Sequence, residues 1–190
     1  GFNVGHHGGC AIIHDGKIVA ISEERLNRRK YSDGYVNSFF YCLNALNISI
    51  DDIDLFVSSS YQKKRLPRHF MGELGCLGIP PQKFITVDHH LSHAYASYFL
   101  SPFRKAIIVI MDGSGNETDT ESYYIAEGNT IKKIGGNNPK RSIWKGIGKA
   151  YEAFTNYCGW GVHDAGKTMA LAGYGKEQNR SIKFYSISKN

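Results

Sequence analysis

The sequence lacks several features that define specialised classes of protein. None of its apolar runs approaches the ~18 residues of a membrane-spanning helix, and its N-terminal segment lacks the charged and then apolar stretches of a signal peptide. Its four cysteines (Cys10, Cys42, Cys76, Cys158) include no CxxC pair. This spacing favours reduced thiols over a disulfide framework or a zinc knuckle. We therefore expect a cytoplasmic protein with no membrane partner.

What the chain does contain is typical of a globular protein. Its 190 residues are 42% hydrophobic and 21% charged, enough for one domain or two small lobes with a real core. The net charge is +6, and basic residues cluster at 23–30 and 63–68. Such clusters can attract phosphate or nucleic acid. No interleaved aromatic motif accompanies them, so we interpret 63–68 as a solvated face and do not expect a nucleic-acid partner.

The apolar pattern predicts an α/β protein that begins with a β-hairpin. Two β-prone runs, 10–13 and 17–22, are joined through Asp15-Gly16, a strong hairpin signal. Beyond them the patterns predict helices at 37–46, 68–77, 88–100, 147–158 and 167–171, and strands at 54–58, 84–87, 106–111, 121–126 and 130–134. Strands 121–126 and 130–134 form a second hairpin, which suggests a duplicated α/β architecture. Both chain ends lead us to expect a piece of a longer protein. Residues 2–5 already favour a strand, and residues 186–190 show no pattern that would end a helix or complete the core.

The densest group of chemically active side chains is the run DHHLSH at 88–93. On a helix, His89 and His93 stand at i and i+4, so their rings share one face at the spacing by which two imidazoles bind one metal. His90 projects about 100° away. A metal also needs a third ligand, usually a carboxylate, and imidazoles suit iron, zinc or copper alike. Clustered histidines can also cap a helix or satisfy buried carbonyls, but three of them at a strand-to-helix junction favour a functional site.

Two glycine-rich turns could hold phosphate. The buried strand at 106–111 ends in Asp112-Gly113-Ser114-Gly115, where backbone N–H groups can approach oxygens and the aspartate can orient a metal-bound water. The same four residues can equally form an ordinary hairpin turn. Residues 5–10, which include His6 and His7, form a similar turn. A third match, GVHDAGKT at 161–168, fits the P-loop pattern, but residues 157–160 do not predict the buried strand that should precede it, so we interpret this match as accidental.

Several runs together resemble one enzyme family. They are HHLSHAYAS at 89–97 with SPF at 101–103, Glu23-Glu24-Arg25 with Arg28 and Lys30, the strand ending in DGSG at 112–115, and GKTMALAGYG at 166–175. These runs are collinear with the signature of the NodU/CmcH-type O-carbamoyltransferases. The resemblance implies an actin/Hsp70/sugar-kinase-like (ribonuclease-H-like) α/β fold, here its N-terminal portion only. It also implies kinship with the transferases that place threonylcarbamoyl on tRNA and with the hydrogenase-maturation carbamoyltransferases.

The resemblance further implies a two-module enzyme. One module makes carbamoyl-adenylate from carbamoyl phosphate and ATP with Mg²⁺, and the present module moves the carbamoyl group to the hydroxyl of a small-molecule acceptor. His89 and His93 match the pair that holds Fe(II) or a similar divalent metal, together with an aspartate from further along. Residues 112–115 match a nucleotide-phosphate loop. Lys30, beside Arg28, matches a basic pair that faces the anionic intermediate, and we assign catalytic roles to His7, Lys30 and His90.

The sequence also departs from that family. The first loop of the family has an aspartate after its histidine, whereas His7 is followed by Gly8-Gly9-Cys10. The family enzyme is several times longer, so we expect the third metal ligand and the adenylate-forming module in a missing C-terminal portion, and no activity from residues 1–190 alone. The alternatives are another ATP-dependent enzyme of the superfamily or a non-catalytic nucleotide-binding half-domain. A kinase would not need the histidine pair, and the tRNA enzyme would bind RNA in a salt-sensitive way.

Overall fold

A computed structural model describes residues 1–60, 76, 78–116, 119–137 and 146–176, which form a mixed α/β protein. Its elements are, in order, β1 (Phe2–Asn3), β2 (Gly9–His14), β3 (Lys17–Ser22), α1 (Glu23–Asn27), α2 (Val36–Leu46), β4 (Phe56–Ser60), a 3-10 turn (Pro81–Lys83), β5 (Phe84–Asp88), α3 (His89–Phe99), β6 (Lys105–Met111), β7 (Glu121–Glu127), β8 (Thr130–Gly136), α4 (Ile147–Tyr157) and α5 (Ala165–Ala172). Within these residues, no helix is both long enough and apolar enough to cross a membrane.

The first sheet has the strand order β3-β2-β1-β4-β5. Strands β1, β2 and β3 are antiparallel neighbours, whereas β4 lies parallel to β1 and β5 parallel to β4. The predicted hairpin is confirmed: Asp15 and Gly16 both have positive φ, 47° and 72°, as the tight turn between β2 and β3 requires. Strand β4 begins two residues later than predicted, because its pairing with β5 starts with Phe56 opposite Phe84.

The second sheet contains β6, β7 and β8, all antiparallel. The predicted second hairpin, β7 to β8, is therefore confirmed. This sheet repeats the three-strand antiparallel order with which the first sheet begins. The predicted helix at 68–77, the basic cluster at 63–68 and the chain end at 186–190 lie outside the described residues, apart from Cys76 within the first of these.

Two hydrophobic cores hold these elements in place. In the first, α2 packs Phe39, Cys42 and Leu43 against the first sheet. In the second, α3 packs Ala94 and Tyr98 against β6 and β7. Helix α3 leaves β5 directly and packs on β6, so its N-terminal end lies where the two sheets meet. All four cysteines are free thiols, and burial raises the pKa of Cys10 to about 12.

A buried carboxylate caps α2. The side chain of Glu23 is only 3% exposed and accepts hydrogen bonds from the backbone N–H of Asn37 (3.0 Å) and of Ser38 (2.9 Å). The Asn37 side chain donates a third (2.6 Å). Burial alone would raise the pKa of Glu23, but these hydrogen bonds outweigh burial and hold the pKa below its usual value. Glu23 thus satisfies N–H groups at the start of a helix that has no side-chain cap of its own.

Candidate metal centre

Three side chains bring their donor atoms together at the N-terminal end of α3. The Asp112 Oδ2 atom lies 2.8 Å from His89 Nε2 and 3.4 Å from His93 Nε2. The two imidazole Nε2 atoms are 3.3 Å apart. The three donors therefore form a small triangle, and they are the one such group of potential metal ligands found among the described residues.

Local structure fixes each corner of this triangle. The Asp88 carboxylate accepts a hydrogen bond from Leu91 N–H (3.1 Å), so Asp88 is the N-cap of α3, as predicted. The His89 N–H donates to Asn116 Oδ1 (2.9 Å), which ties the first turn of α3 to the loop after Asp112. Asp112 follows β6 directly, and its N–H donates to the Thr120 carbonyl (2.8 Å). Hydrogen bonds thus join the start of α3 to the loop that follows β6.

The electrostatics of the triangle favour a cation. Burial acts to raise the pKa of Asp112, but hydrogen bonds from His89 and His93 and from Gly113 N–H outweigh it and hold that pKa far below its usual value. The bond to Asp112 in turn raises the pKa of His93. A carboxylate whose pKa lies far below its usual value therefore faces two imidazoles, an arrangement that suits a bound cation.

The geometry and chemistry of the donor set fit a divalent metal. Ligand atoms about 2.1 Å from one ion are separated by about 3.0 to 3.4 Å in octahedral or tetrahedral arrangements. The observed separations of 2.8 to 3.4 Å are close to this range. Two histidines and one carboxylate on one side of an ion are typical of non-haem Fe(II) sites, which keep further positions open. We expected the third ligand beyond this chain and assigned Asp112 to a phosphate loop; the structure instead offers Asp112 as that ligand.

His90 faces the protein core. Its ring is 1% exposed, its Nδ1 atom lies 2.7 Å from Ser122 Oγ, and burial lowers its pKa. Its Nε2 atom has no hydrogen-bond partner among the described residues and packs against Gly115. His90 therefore lies behind the 112–115 loop, in contact with Gly115. The catalytic role that the sequence suggests for His90 stays a prediction.

Two backbone N–H groups of the loop at 112–115 form hydrogen bonds within the protein. Gly113 N–H donates to Asp112 Oδ1 (2.6 Å), and Gly115 N–H donates to the Asp119 carbonyl (2.5 Å). Two of the N–H groups that we expected to hold phosphate therefore already have acceptors inside the protein. A nucleotide-binding role for Asp112, Gly113, Ser114 and Gly115 stays a prediction.

We expect Gly115→Ala to disturb this loop, because a Cβ at this position would overlap the buried ring of His90. Overpacking of this kind costs about 1–3 kcal/mol, and the displaced Asp112 should lower metal affinity about tenfold. Urea unfolding and calorimetric metal titration measure the two effects. Gly113→Ala is the matched control, because a Cβ there meets open space. Equal effects of the two substitutions would contradict the contact with His90 as the cause.

His7 and Lys30 lie near each other in a group of aromatic rings. The four-ring group comprises His6, His7, Tyr31 and His163, with centroid distances of 5.0 Å for His6–His7, 5.0 Å for His7–Tyr31, 4.8 Å for His6–His163 and 6.0 Å for Tyr31–His163. The Lys30 ammonium lies 4.8 Å from the centre of the Tyr31 ring. The sequence analysis missed Tyr31 and His163, which no local pattern connects to the β1–β2 turn.

The P-loop match at 161–168 has a different structure from a P-loop. A helix, α4, precedes it instead of a buried strand, and α5 begins at Ala165, inside the motif. The Asp164 carboxylate accepts hydrogen bonds from Gly161 N–H (3.2 Å) and from the Tyr31 hydroxyl (3.4 Å), and pairs with the Lys167 ammonium (3.0 Å). The structure therefore agrees with the interpretation of this match as accidental.

Comparison with known proteins connects this geometry to a family. Residues 59–189 match the family described as carbamoyltransferase N-terminus. The chain is 29% identical to nodulation protein NolNO of Sinorhizobium fredii over 212 aligned positions, which cover 97% of this chain and 30% of that protein. It is also 29% identical to an uncharacterized protein of Synechocystis sp. (90% and 33% covered) and 31% identical to one of Methanocaldococcus jannaschii (54% and 19% covered). The chain spans about a third or less of the length of these relatives.

Proposed function

Because this chain belongs to the carbamoyltransferase N-terminus family, we propose that it is part of an enzyme domain that transfers a carbamoyl group to the hydroxyl of a small-molecule acceptor. The observation that carries the proposal is the convergence of His89, His93 and Asp112, because the histidine pair lies in the run that resembles the signature of the family. In this reaction the acceptor oxygen forms a bond to the carbamoyl carbon of a carbamoyl-adenylate, the bond from that carbon to the phosphate oxygen breaks, and AMP leaves as the hydroxyl proton is released.

We also propose the actin-like, ribonuclease-H-like fold for this domain. The first sheet supports it, since three antiparallel strands are extended by the parallel strands β4 and β5. The second sheet supports a duplicated unit, since it begins with the same antiparallel order. We place the adenylate-forming module, which would use carbamoyl phosphate and ATP with Mg²⁺, in the portion of the longer relatives that this chain does not match.

In the proposed site, His89, His93 and Asp112 hold Fe(II) or a similar divalent ion. Such an ion supplies Lewis-acid polarisation of the carbamoyl carbonyl or of the acceptor hydroxyl. The chain itself orients the ligands: Asp88 and Asn116 fix the first turn of α3 by hydrogen bonds to Leu91 and His89. His90 supports the loop that carries Asp112.

The residues of the β1–β2 turn and of the α1–α2 connection face the reacting molecule in this proposal. Lys30 is exposed and cationic, which suits attraction of an anionic adenylate. His7 is an exposed imidazole that can hydrogen-bond the same anion. Both lie next to Tyr31, which places them together although they are far apart in sequence.

The test is to measure bound iron and zinc, by elemental analysis under anaerobic conditions, in the wild type and in His89→Ala/His93→Ala. We expect close to one metal per chain in the wild type and loss of it in the double variant, because the remaining carboxylate cannot hold the ion alone. His14→Ala is the control, since His14 pairs with Asp15 at the distant β2–β3 turn. Equal metal in the double variant and the wild type, or no uptake by the wild type after incubation with Fe(II), would refute the proposal.

A further inference from the structure

The four-ring group joins three segments that are distant in sequence. His6 and His7 come from the turn between β1 and β2, Tyr31 from the connection between α1 and α2, and His163 from the connection between α4 and α5. The His163 ring meets the His6 ring edge to face, with an interplanar angle of 81°. Each ring contacts the next, so the group is a packed cluster that links these segments.

A polar contact reinforces this link. The Tyr31 hydroxyl donates to Asp164 Oδ1 (3.4 Å), and the Lys167 ammonium lies 3.0 Å from the same oxygen. Asp164 Oδ2 accepts from Gly161 N–H (3.2 Å). The Asp164 carboxylate is therefore held by its own segment and offers an acceptor to the α1–α2 connection.

The first turn of α4 contacts the loop that carries Asp112. A Cβ on Gly148, in the first turn of α4, would overlap the backbone of Asp112 and Gly113, so the helix lies directly on the loop that carries the third ligand. Ile147 N–H donates to Glu121 Oε1 (3.3 Å). Residues 147–164 thus extend from the Asp112 loop at one end to the β1–β2 turn at the other.

Both backbone hydrogen bonds and side-chain contacts hold the β1–β2 turn; Gly8 N–H donates to the Ser32 carbonyl (2.8 Å), and Glu23 N–H donates to the Gly8 carbonyl (2.9 Å). Its backbone is held from within by Asn3, whose side chain donates to the carbonyls of His6 and His7 (both 3.3 Å). Yet both imidazoles are exposed, and His7 has a φ of 58°, a left-handed conformation that costs energy for a residue with a side chain. The rings that fix these imidazoles from outside the turn are Tyr31 and His163.

The turn lies on the side of the metal-binding helix. His7 lines the same cavity, of about 760 Å³, as Ser92 and Tyr95 of α3. Although His6 is largely exposed, its partial burial is the first cause that lowers its pKa; the charges of His7, His163 and His89 also lower that pKa, whereas Asp33 acts to raise it. The β1–β2 turn and the histidine pair therefore share one region of the molecule.

We propose that His163 is a positioning residue: by edge-to-face contact with His6 it holds the β1–β2 turn beside the His89–His93–Asp112 triangle. The α4–α5 connection, which carries His163, thereby supports the side of the site that faces the reacting molecule. This inference rests on the proposed function, because the position of the β1–β2 turn matters for the reaction only if the His89–His93–Asp112 triangle belongs to the reacting site. It assigns a role to the 161–168 motif other than the phosphate binding that its sequence pattern suggested.

The test compares His163→Ala with His163→Phe in the chain as it exists. Hydrogen exchange measured by mass spectrometry follows the backbone of residues 4–9, and NMR titration follows the His6 ring. We expect His163→Ala to speed exchange in the turn about three- to tenfold, from the strength of an edge-to-face aromatic pair, and to raise the pKa of His6. His163→Phe keeps the ring contact but not the imidazole, so exchange should stay at the wild-type rate while the His6 pKa still rises.

Two outcomes would overturn this inference: no change in the turn or in the His6 pKa with His163→Ala, or equally fast exchange in both variants. His14→Ala controls for the loss of an exposed imidazole elsewhere. Bound iron and zinc are measured on the same samples and should be the same in all of them. Absence of metal from the wild type would refute the proposed function, whereas the exchange and NMR results decide the role of His163 independently.

Discussion

Asp112→Asn is expected to lower the affinity of this chain for Fe(II) or Zn(II) by about 100-fold or more. Loss of a residue that hydrogen-bonds a metal ligand commonly lowers metal affinity 10- to 100-fold. Because Asp112 is itself a proposed ligand, its loss should lower the affinity at least as much. Asparagine keeps the size of the side chain but removes the charge that faces both imidazoles at 2.8 and 3.4 Å. The ion would then be left with the two neutral nitrogens of α3.

Anaerobic competition with a chromophoric chelator measures this affinity. Asp88→Asn is a matched control, because it removes one carboxylate charge from the same helix end while asparagine preserves the N-cap. We expect this control to bind metal within a few-fold of the wild type. Equal losses in the two variants would mean that Asp112 acts through general charge and not as a ligand.

Glu23→Ala is expected to destabilise the fold by about 3 kcal/mol, a large share of the stability of a small domain. The substitution leaves the N–H groups of Asn37 and Ser38 without their acceptor, and Ser38 is fully buried. Urea unfolding measures the change in the free energy of unfolding. Glu127→Gln is the control, because Glu127 pairs with Lys105 at the surface, where both side chains are largely exposed, and loss of this pair should change stability little.

The same carboxylate gives a pH-dependent signature. The pKa of Glu23 is lower in the folded protein than its usual value of about 4.3. Its stabilisation is therefore complete above that pH and is lost as the pH falls through the lower pKa of the folded state. In Glu23→Gln this loss should disappear, so the difference in stability between wild type and variant should shrink on acidification below about pH 4. A difference that stays constant with pH would exclude an ionised Glu23 as the cap.

Local patterns predicted those parts of the fold that local interactions determine. The Asp15-Gly16 turn and the Asp88 cap each depend on a few consecutive residues, and the structure confirms them. The apolar run at 106–111 forms strand β6 as predicted, but the expectation that this strand is fully buried is wrong, because Ile107, Val109 and Met111 are exposed. The position of β4 was predicted less well, because its ends are set by pairing with β5 and not by its own residues.

The burial of His90 had a signal in the sequence that we did not use. His90, Ala94 and Tyr98 recur at i, i+4 and i+8, and all three are buried against the second sheet. The first residue of this series, His90, is polar, and for that reason the series was not recognised as the buried face of α3. The pattern placed His90 away from His89 and His93 correctly, but it did not indicate which face lies against the core.

The approach of Asp112 to the histidine pair had no such local signal. It arises because α3 leaves the first sheet and packs on the second, which brings the end of β6 to the start of the helix. The contact between His6 and His163 likewise joins opposite parts of the described chain. Contacts of this kind follow from the packing of whole elements, and spacing within one segment carries no information about them.

In the terms of coordination chemistry, the proposed metal centre is a preorganised tridentate chelate. Its donors stand 2.8 to 3.4 Å apart because a helix cap, a strand end and the hydrogen bond from His89 to Asn116 hold them there. Binding of an ion therefore costs little side-chain entropy, because the ligands are already ordered. The ion must also fit the observed spacing of the donors. Ca²⁺ prefers six to eight oxygens at about 2.3–2.6 Å and suits a compact, nitrogen-rich triangle poorly. The spacing and the chemistry of these donors thus favour a transition-metal ion over Ca²⁺ in the proposed site.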